Sequence, residues 1–428
     1  MSDEHLKLQQ LFDINREIEQ VKDVDVLLEK ILSVARTLVN ADAGSIYTKE
    51  GKHLKFSHTQ NETLQKQLGP GKKLIYKTFL VPINHSSISG YVASTGETLN
   101  IPDVYHLAKD VPYSFDHSYD EKAFYRTQSM LTTPLKNNQD KVIGVMQLIN
   151  AQSKRGEVIP FAEGDIPLIR IFANSAALAI ERAQMMRTMI LRMISMAELR
   201  DPKETGPHVN RVGAYAAEIY ERWALNKKFP LKIVETTKDM LRMTAMLHDV
   251  GKVGIKDEIL QKPGKLDPEE YEYMKQHTVK GARLFADSQS DFDEMARQIA
   301  FNHHERWDGT GYPGHIDLNG NVIPGYEDEH GKPRGKQGEE IPLVARVVAV
   351  ADVYDALSCR RVYKKAWKEK DVLIELKKGA GKQFDPEIID AFFSTLDTIH
   401  SIAYHFPDPE YPPSSDDSTP LTMTLASP

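Results

Sequence analysis

The stretch His303-His304-Glu305-Arg306-Trp307-Asp308-Gly309-Thr310-Gly311-Tyr312-Pro313 brings two adjacent imidazoles, two carboxylates and a Gly-Tyr-Pro turn together. It follows an apolar-periodic segment carrying Met295, Ile299 and Ala300, which predicts a helix running into it. Neighbouring side chains on a helix point roughly 100° apart, so one metal cannot easily take both imidazoles. Two neighbouring metals can, or the helix ends at the pair and splays them. A second cluster, His248-Asp249-Val250-Gly251-Lys252, closes another apolar helix carrying Leu241, Met243, Met246 and Leu247. Gly251 stands there where a C′ residue belongs. Together the two clusters point to a polynuclear metal site in a helical domain.

Further metal-type side chains surround these clusters in the chain: Glu204 with His208, His277 on a helix over 268–286, and Asp352. The set is five imidazoles and three carboxylates without thiolate. That argues against a structural zinc site and for iron or manganese, which tolerate six-coordination. Asp249 is placed to bridge two metals, and a metal pair about 3.5–4 Å apart can grip both oxygens of an in-line phosphoryl displacement. Lys252, one turn after His248, can neutralise a phosphate oxygen as charge builds. Each residue also has a plainer reading on its own. His277 would be a surface histidine, His208 a helix-terminal residue and Glu204 a solvated turn carboxylate. Asp249 would be a C-terminal turn residue, Asp355 a helix-surface charge and Lys252 a cation after a helix end.

Length and composition frame the rest. A chain of 428 residues with 41% hydrophobic and 27% charged residues should hold two or three globular domains. No apolar run approaches a membrane span, and the N-terminus lacks a signal sequence. The single cysteine, Cys359, fits a reducing cytoplasm, where the protein is expected. The net charge of −7 argues against non-specific nucleic-acid binding, so an anionic substrate must find its cations locally.

Residues 1–165 read as α+β. An amphipathic helix runs through Leu11, Ile14 and Ile18 and on through Leu27, Leu28, Ile31, Leu32, Val34 and Leu38. Strands are expected at Ser45–Tyr47, His53–Phe56, Thr78–Val81 and Val142–Ile149, the last as the edge of a hairpin after the turn Asn137–Asp140. Ser89–Gly96 is a small-residue stretch suited to approaching a ligand or turning a helix. From 166 to 200 the apolar positions follow helical spacing, which suits a parallel coiled coil in a homodimer, or a single helix packed on its own domains. Asp201-Pro202 should end or kink it. Residues 201–405 form a second, helical domain, in which Asp267-Pro268-Glu269-Glu270 starts a helix. Residues 314–339 read as a Gly-rich lid or disordered insertion, and 406–428 as a disordered tail. By propensity Val347–Val353 suits a strand, whereas Asp352 and Asp355 at i,i+3 suit one face of a helix.

Two resemblances sharpen this reading. Ile88–Ala93 with Gly96, Met130–Leu135 and Ile143–Asn150 resemble a GAF domain, a small-molecule sensor fold with an antiparallel sheet and flanking helices. Asn150, Phe161 and Asp165 resemble the pattern of cyclic-nucleotide-binding members, with Ala151 and Ile166 in place of its lysine and glutamate. The resemblance implies either a ligand, of unknown identity, or a purely dimerising domain. His208, His248-Asp249 and Asp352 resemble the ligands of the HD phosphohydrolase superfamily. With Lys262-Pro263-Gly264, His277, His303–Glu305, Asp308-Gly309, Gly311–Pro313 and Asp352–Leu357, the second domain is similar to the all-α HD-GYP family, bacterial phosphodiesterases that hydrolyse cyclic di-GMP.

That resemblance favours the helix at Asp352. It implies His208, His248, Asp249, His277, His303, His304 and Asp352 as ligands of two or three ions, with Glu204 joining them in a three-metal subgroup. It implies Asp249 and Lys252 as the catalytic pair, and Lys252, Tyr312, Arg361 and Lys364 as substrate contacts. Arg360 and Val362 depart from the usual residues there. The products would be linear pGpG and GMP, and the Gly-Tyr-Pro turn would meet a diguanylate cyclase partner. The rival readings are an HD-type enzyme acting on another cyclic (di)nucleotide, and a catalytically silent receptor of such a ligand.

Overall fold

A computed structural model describes residues 16–68, 74, 76, 78–198, 206–358 and 367–407, with 197 and 198 described by backbone alone. It divides into two compact units whose boundary along the chain falls between Met186 and Arg187.

In the first unit, helix α1 (Val24–Leu38) begins where Asp23 accepts hydrogen bonds from the backbone N–H of Asp25 and Val26. Residues 16–20 are helical but 21–23 are not, so the continuous helix expected from Ile18 to Leu38 is broken by this cap. Strands β1 (Ala41–Glu50) and β2 (His53–Asn61) form a hairpin, and β3 (Leu80–Pro82) pairs β2. Helix α2 (Ile88–Thr95) takes up the small-residue stretch and ends at Gly96, whose φ of 71° suits a residue without Cβ. Strands β4 (Leu99–Ile101), β5 (Met130–Lys136), β6 (Val142–Gln152) and β7 (Val158–Ile159) complete an antiparallel sheet of order β3-β2-β1-β6-β5-β4, with β7 on β6.

The turn at Asn137–Asp140 joins β5 to β6, with Asp140 at φ 58°. Strand β6 is not an edge: β1 and β5 flank it, and Gly144–Leu148 are all buried rather than alternating because both faces are covered, Met146 and Leu148 in one core cluster and Val145 with Val92 and Ala93 in another. Helix α3 (Asp165–Glu198) and α1 cover one face of the sheet. Leu28, Ile31, Leu32, Phe172, Ala176 and Ile180 pack there on Ile46, Leu131, Met146 and Leu148. Asn150 spends its amide on local structure, accepting from Gln128 N–H at 2.7 Å and donating to Tyr125 Oη and Arg126 O at 2.9 and 2.8 Å.

The second unit is helical: α4 (Gly206–Asn226), α5 (Leu231–Thr244), α6 (Pro268–Arg283), α7 (Asp291–Asn302), α8 (Leu343–Ser358), α9 (Glu369–Gly379), α10 (Pro386–Phe393) and α11 (Leu396–His405). The expected start at Asp267 is a complete capping box with Glu270 and with Pro268 at the first helical position. Val347–Val353 is helix, not strand, because α8 is buried nearly all round. Val347, Val350, Ala351 and Tyr354 pack with Val212, Tyr215, Ile219 and Phe392 in one core. This packing of α4 on α8 fixes the two helices that carry His208 and Asp352.

Residues 314–339 have defined local structure, against the disorder that is one of the two expectations. They fold as two short β-turns in which Asp317 accepts from the N–H of Asn319 and Asn321, and Asp328 from those of His330 and Lys332. Isolated bridges Ile316–Val322 and Glu327–Pro333 close the turns, and Asp308–Gln337 ties the segment's end to the chain before it. Local Asx chemistry, rather than periodicity, makes this structure. The tail beyond 407 and Asp201-Pro202 lie outside the described residues.

A candidate metal centre

Five helices deliver the site, three of them at their ends. His208 is on the first turn of α4, and Asp352 is in the third turn of α8. Helix α5 tightens into a 3-10 turn at Ala245–Leu247 and hands on His248 and Asp249. His277 is carried by α6, and α7 stops at Asn302, with His303 as its C-cap. That stop answers the problem of adjacent imidazoles. The rings of His303 and His304 lie 4.1 Å apart at 43°, and both fall in one group.

The structure gathers all the described candidate ligands into two groups. Asp249, His277, His303 and His304 form one, and His208, His248 and Asp352 the other; within each, the ligating atoms lie within 4.8 Å of one another. Asp249 faces both. Its Oδ1 lies 3.2 Å from His277 Nε2 and 3.5 Å from His303 Nε2, while its Oδ2 lies 3.5 Å from His248 Nε2. Asp352 Oδ1 lies 3.7 Å from His208 Nε2 and 3.8 Å from His248 Nε2.

Hydrogen bonds on the far side of the rings decide what these atoms are. The Nδ1 of His248 meets Ala245 O at 2.8 Å, that of His277 meets Met274 O at 2.7 Å, and that of His303 meets Ile299 O and Ala300 O at 3.1 and 3.2 Å. A carbonyl only accepts, so each Nδ1 carries a proton, and in the tautomer that a metal ligand needs this leaves Nε2 as the inward-facing ligating atom. Burial pushes His303 below the ordinary histidine range and His304 well below it, which keeps both rings neutral. Asp249 goes the other way. Burial alone would raise its pKa, but the Lys252 ammonium and His248 hold it well below the usual carboxylate range.

Asp249 Oδ1, His277 Nε2 and His303 Nε2 are buried without a hydrogen-bond partner. Leaving such a group unsatisfied costs about 1–3 kcal/mol. Here three acceptors converge within 3.5 Å, an arrangement that a shared cation relieves. The residues therefore fit a divalent ion with mixed nitrogen and oxygen ligands.

Lys252 Nζ lies 2.6 Å from Asp249 Oδ2, on the 3-10 turn Val250–Gly254. Gly251 is not a left-handed C′ residue as expected. It is the point where this turn touches α6: a Cβ there would come within 1.9 Å of His277 O and 2.3 Å of Gly281 N. Tyr312 stacks on His304 with ring centroids 4.8 Å apart. Glu204, Arg361 and Lys364 lie outside the described residues.

Two buried carboxylates escaped the sequence reading. Glu305 accepts from the N–H of Gly314 at 2.6 Å and of Lys336 at 3.1 Å, so it clamps both ends of the 314–336 segment beside the site. Burial raises its pKa to about 7. Asp355, for which a surface charge is the plainer reading, is 1% exposed, and its Oδ2 lies 2.8 Å from His208 Nδ1. Its i,i+3 spacing from Asp352 was the available signal.

Comparison with known proteins agrees with this division. The GAF domain model matches residues 23–180, and the HD domain model residues 205–357. A protein of Vibrio cholerae serotype O1 named probable cyclic di-GMP phosphodiesterase is 36% identical over 265 residues, 60% of this chain and 54% of that protein. Another of the same organism, named cyclic di-GMP phosphodiesterase, is 39% identical over 227 residues, 51% of this chain and 41% of that protein. A third, named 3'3'-cGAMP-specific phosphodiesterase 2, is 32% identical over 254 residues, 58% of this chain and 43% of that protein. The chain thus spans about half the length, or less, of these relatives. No described helix is long and apolar enough to cross a membrane. The chain joins a GAF domain to an all-helical HD domain, and its relatives are proteins named as cyclic-dinucleotide phosphodiesterases.

Proposed function

We propose that the chain is a metal-dependent phosphodiesterase that hydrolyses cyclic di-GMP to linear pGpG and, with a second cut, to GMP. The observation that carries this reading is Asp249, one carboxylate whose two oxygens face two groups of buried imidazole lone pairs. His208, His248 and Asp352 would hold one ion and His277, His303 and His304 the other, with Asp249 available to both, and Glu204 would serve a third. Divalent ions, iron or in its place manganese, supply Lewis-acid polarisation of a phosphoryl oxygen and acidify a water. The Lys252 ammonium, already against Asp249, neutralises charge on a phosphate oxygen as the ester bond breaks. Tyr312, stacked on His304, contacts the substrate, and Arg361 and Lys364 grip the dinucleotide phosphates.

The HD-GYP domain is taken as 201–405, the sensor as 1–165, the linker helix as 166–200 and the tail as 406–428. In this reading a GAF ligand regulates the HD domain of a cytoplasmic homodimer, and a diguanylate cyclase meets the Gly-Tyr-Pro turn. Exposed Ile171, Leu178, Met185, Met189, Met193 and Met196 along α3 support the dimer, because they offer a second copy an apolar seam. A second reading, hydrolysis of a hybrid cyclic dinucleotide, is favoured by the relative named 3'3'-cGAMP-specific. The test is turnover of cyclic di-GMP and 3'3'-cGAMP by iron- or manganese-loaded protein, with products separated by chromatography. Linear pGpG is expected. Linear product from the hybrid alone moves the reading to that substrate. No linear product from either, with metal bound, refutes the phosphodiesterase, and an intact-ligand complex recovered after long incubation makes the protein a receptor.

A further inference from the structure

His208 is held differently from its neighbours. His248, His277 and His303 each turn Nδ1 to a backbone carbonyl, whereas His208 turns it to the Asp355 carboxylate at 2.8 Å. Arg211 grips the same carboxylate with two bonds, Nε to Oδ1 at 2.6 Å and Nη2 to Oδ2 at 2.9 Å, and its Nη1 donates to Phe406 O at 2.8 Å. Arg211 and Asp355 are 3% and 1% exposed. A bidentate fork buried this deeply has one geometry.

The sequence explains how it arises. His208 and Arg211 are three residues apart on α4, and Asp352 and Asp355 are three apart on α8, so each pair shares a helix face. Where the two helices pack, they form a ladder with two rungs. Arg211–Asp355 is the closed rung, and His208 Nε2 facing Asp352 Oδ1 across 3.7 Å is the open one. The closed rung fixes the ring plane of His208 and directs its lone pair at the open one. A carboxylate on Nδ1–H also makes Nε2 a stronger donor than a carbonyl does.

We propose that Asp355 and Arg211 are a positioning pair for the metal position formed by His208, His248 and Asp352, and that they set its affinity independently of the position at His277, His303 and His304. The inference rests on the proposed metal-dependent function. Wild-type, Asp355→Asn and Arg211→Lys proteins are titrated anaerobically with manganese, and the metal-to-protein ratio is read by elemental analysis, beside thermal melts in chelator.

Asp355→Asn keeps the size and removes the charge. It should need roughly 10–100-fold more free metal to fill one of its equivalents, with the other unchanged. Arg211→Lys, which keeps the charge and loses the fork, should fall between, and it decides the matter if Asp355→Asn does not fold. Folded variants that fill every equivalent at wild-type metal concentrations overturn the inference and leave the proposed function standing. Wild-type protein that takes up no metal overturns the proposed function, and this inference with it.

Discussion

Gly251→Ala is the smallest change that should dismantle the centre without touching a ligand. A Cβ at this position would meet His277 O at 1.9 Å, Gly281 N at 2.3 Å and Gly281 Cα at 2.8 Å, all backbone of α6. A normal carbon–oxygen contact is roughly 3.5 Å, so the turn and α6 must part by about 1.5 Å at His277. That movement opens the 3.2 Å between His277 Nε2 and Asp249 Oδ1. Overpacking of this kind costs about 1–3 kcal/mol. For a unit of this size each kcal/mol lowers the melting temperature by about 2–4 °C. A displacement on the order of 1 Å costs about 100-fold in rate. Gly281→Ala is the milder comparison on the same contact: its Cβ would come to 3.2 Å from Gly251 N and Ala300 Cβ, which asks for only a few tenths of an ångström of movement, so its effects should be much smaller. Thermal melts, metal content and kcat are compared for both. If Gly251→Ala melts, binds metal and turns over like the wild type, the argument that this glycine sets the His277 position is refuted.

His303→Ala and His208→Ala should each lower bound metal by elemental analysis, and the double variant should lose what both lose, since the two belong to different groups. Lys252→Ala should keep its metal but lose about 10²–10³ in kcat, as expected for one donor to developing charge; an unchanged kcat removes it from the chemistry. Glu305→Ala strands the N–H groups of Gly314 and Lys336, at about 1–3 kcal/mol each where buried, so limited proteolysis should cut within 314–336 much faster than in the wild type. Asp23→Ala should destabilise the first unit by about 1 kcal/mol, read as a lower urea midpoint at constant slope.

That His208, His248, Asp249, His277, His303, His304 and Asp352 gather was legible in the sequence because they are rare types in distinctive neighbourhoods, and because His303-His304 at a helix end admits few other uses. The capping box at Asp267 and the turn at Asn137–Asp140 were legible for a different reason, since both are local chemistry. What escaped depends on tertiary neighbours. Gly251 looks like a helix C-cap until α6 lies against it, and Asp355 looks like a surface charge until Arg211 arrives from another helix. The valine run in α8 favours a strand by propensity alone, and burial on all sides overrides that preference. The 314–339 segment lacks periodicity because its order comes from two Asx turns and the Glu305 clamp, neither of which needs an apolar stripe.

The central claim is that the buried lone pairs of this helical unit face metal ions at two adjacent positions. Crystals of anaerobically loaded protein, measured at the iron and manganese absorption edges, test it most directly. The account expects two anomalous peaks, one among Asp249, His277, His303 and His304 and one among His208, His248 and Asp352. Loaded crystals with these side chains in place and no anomalous density between them would contradict it.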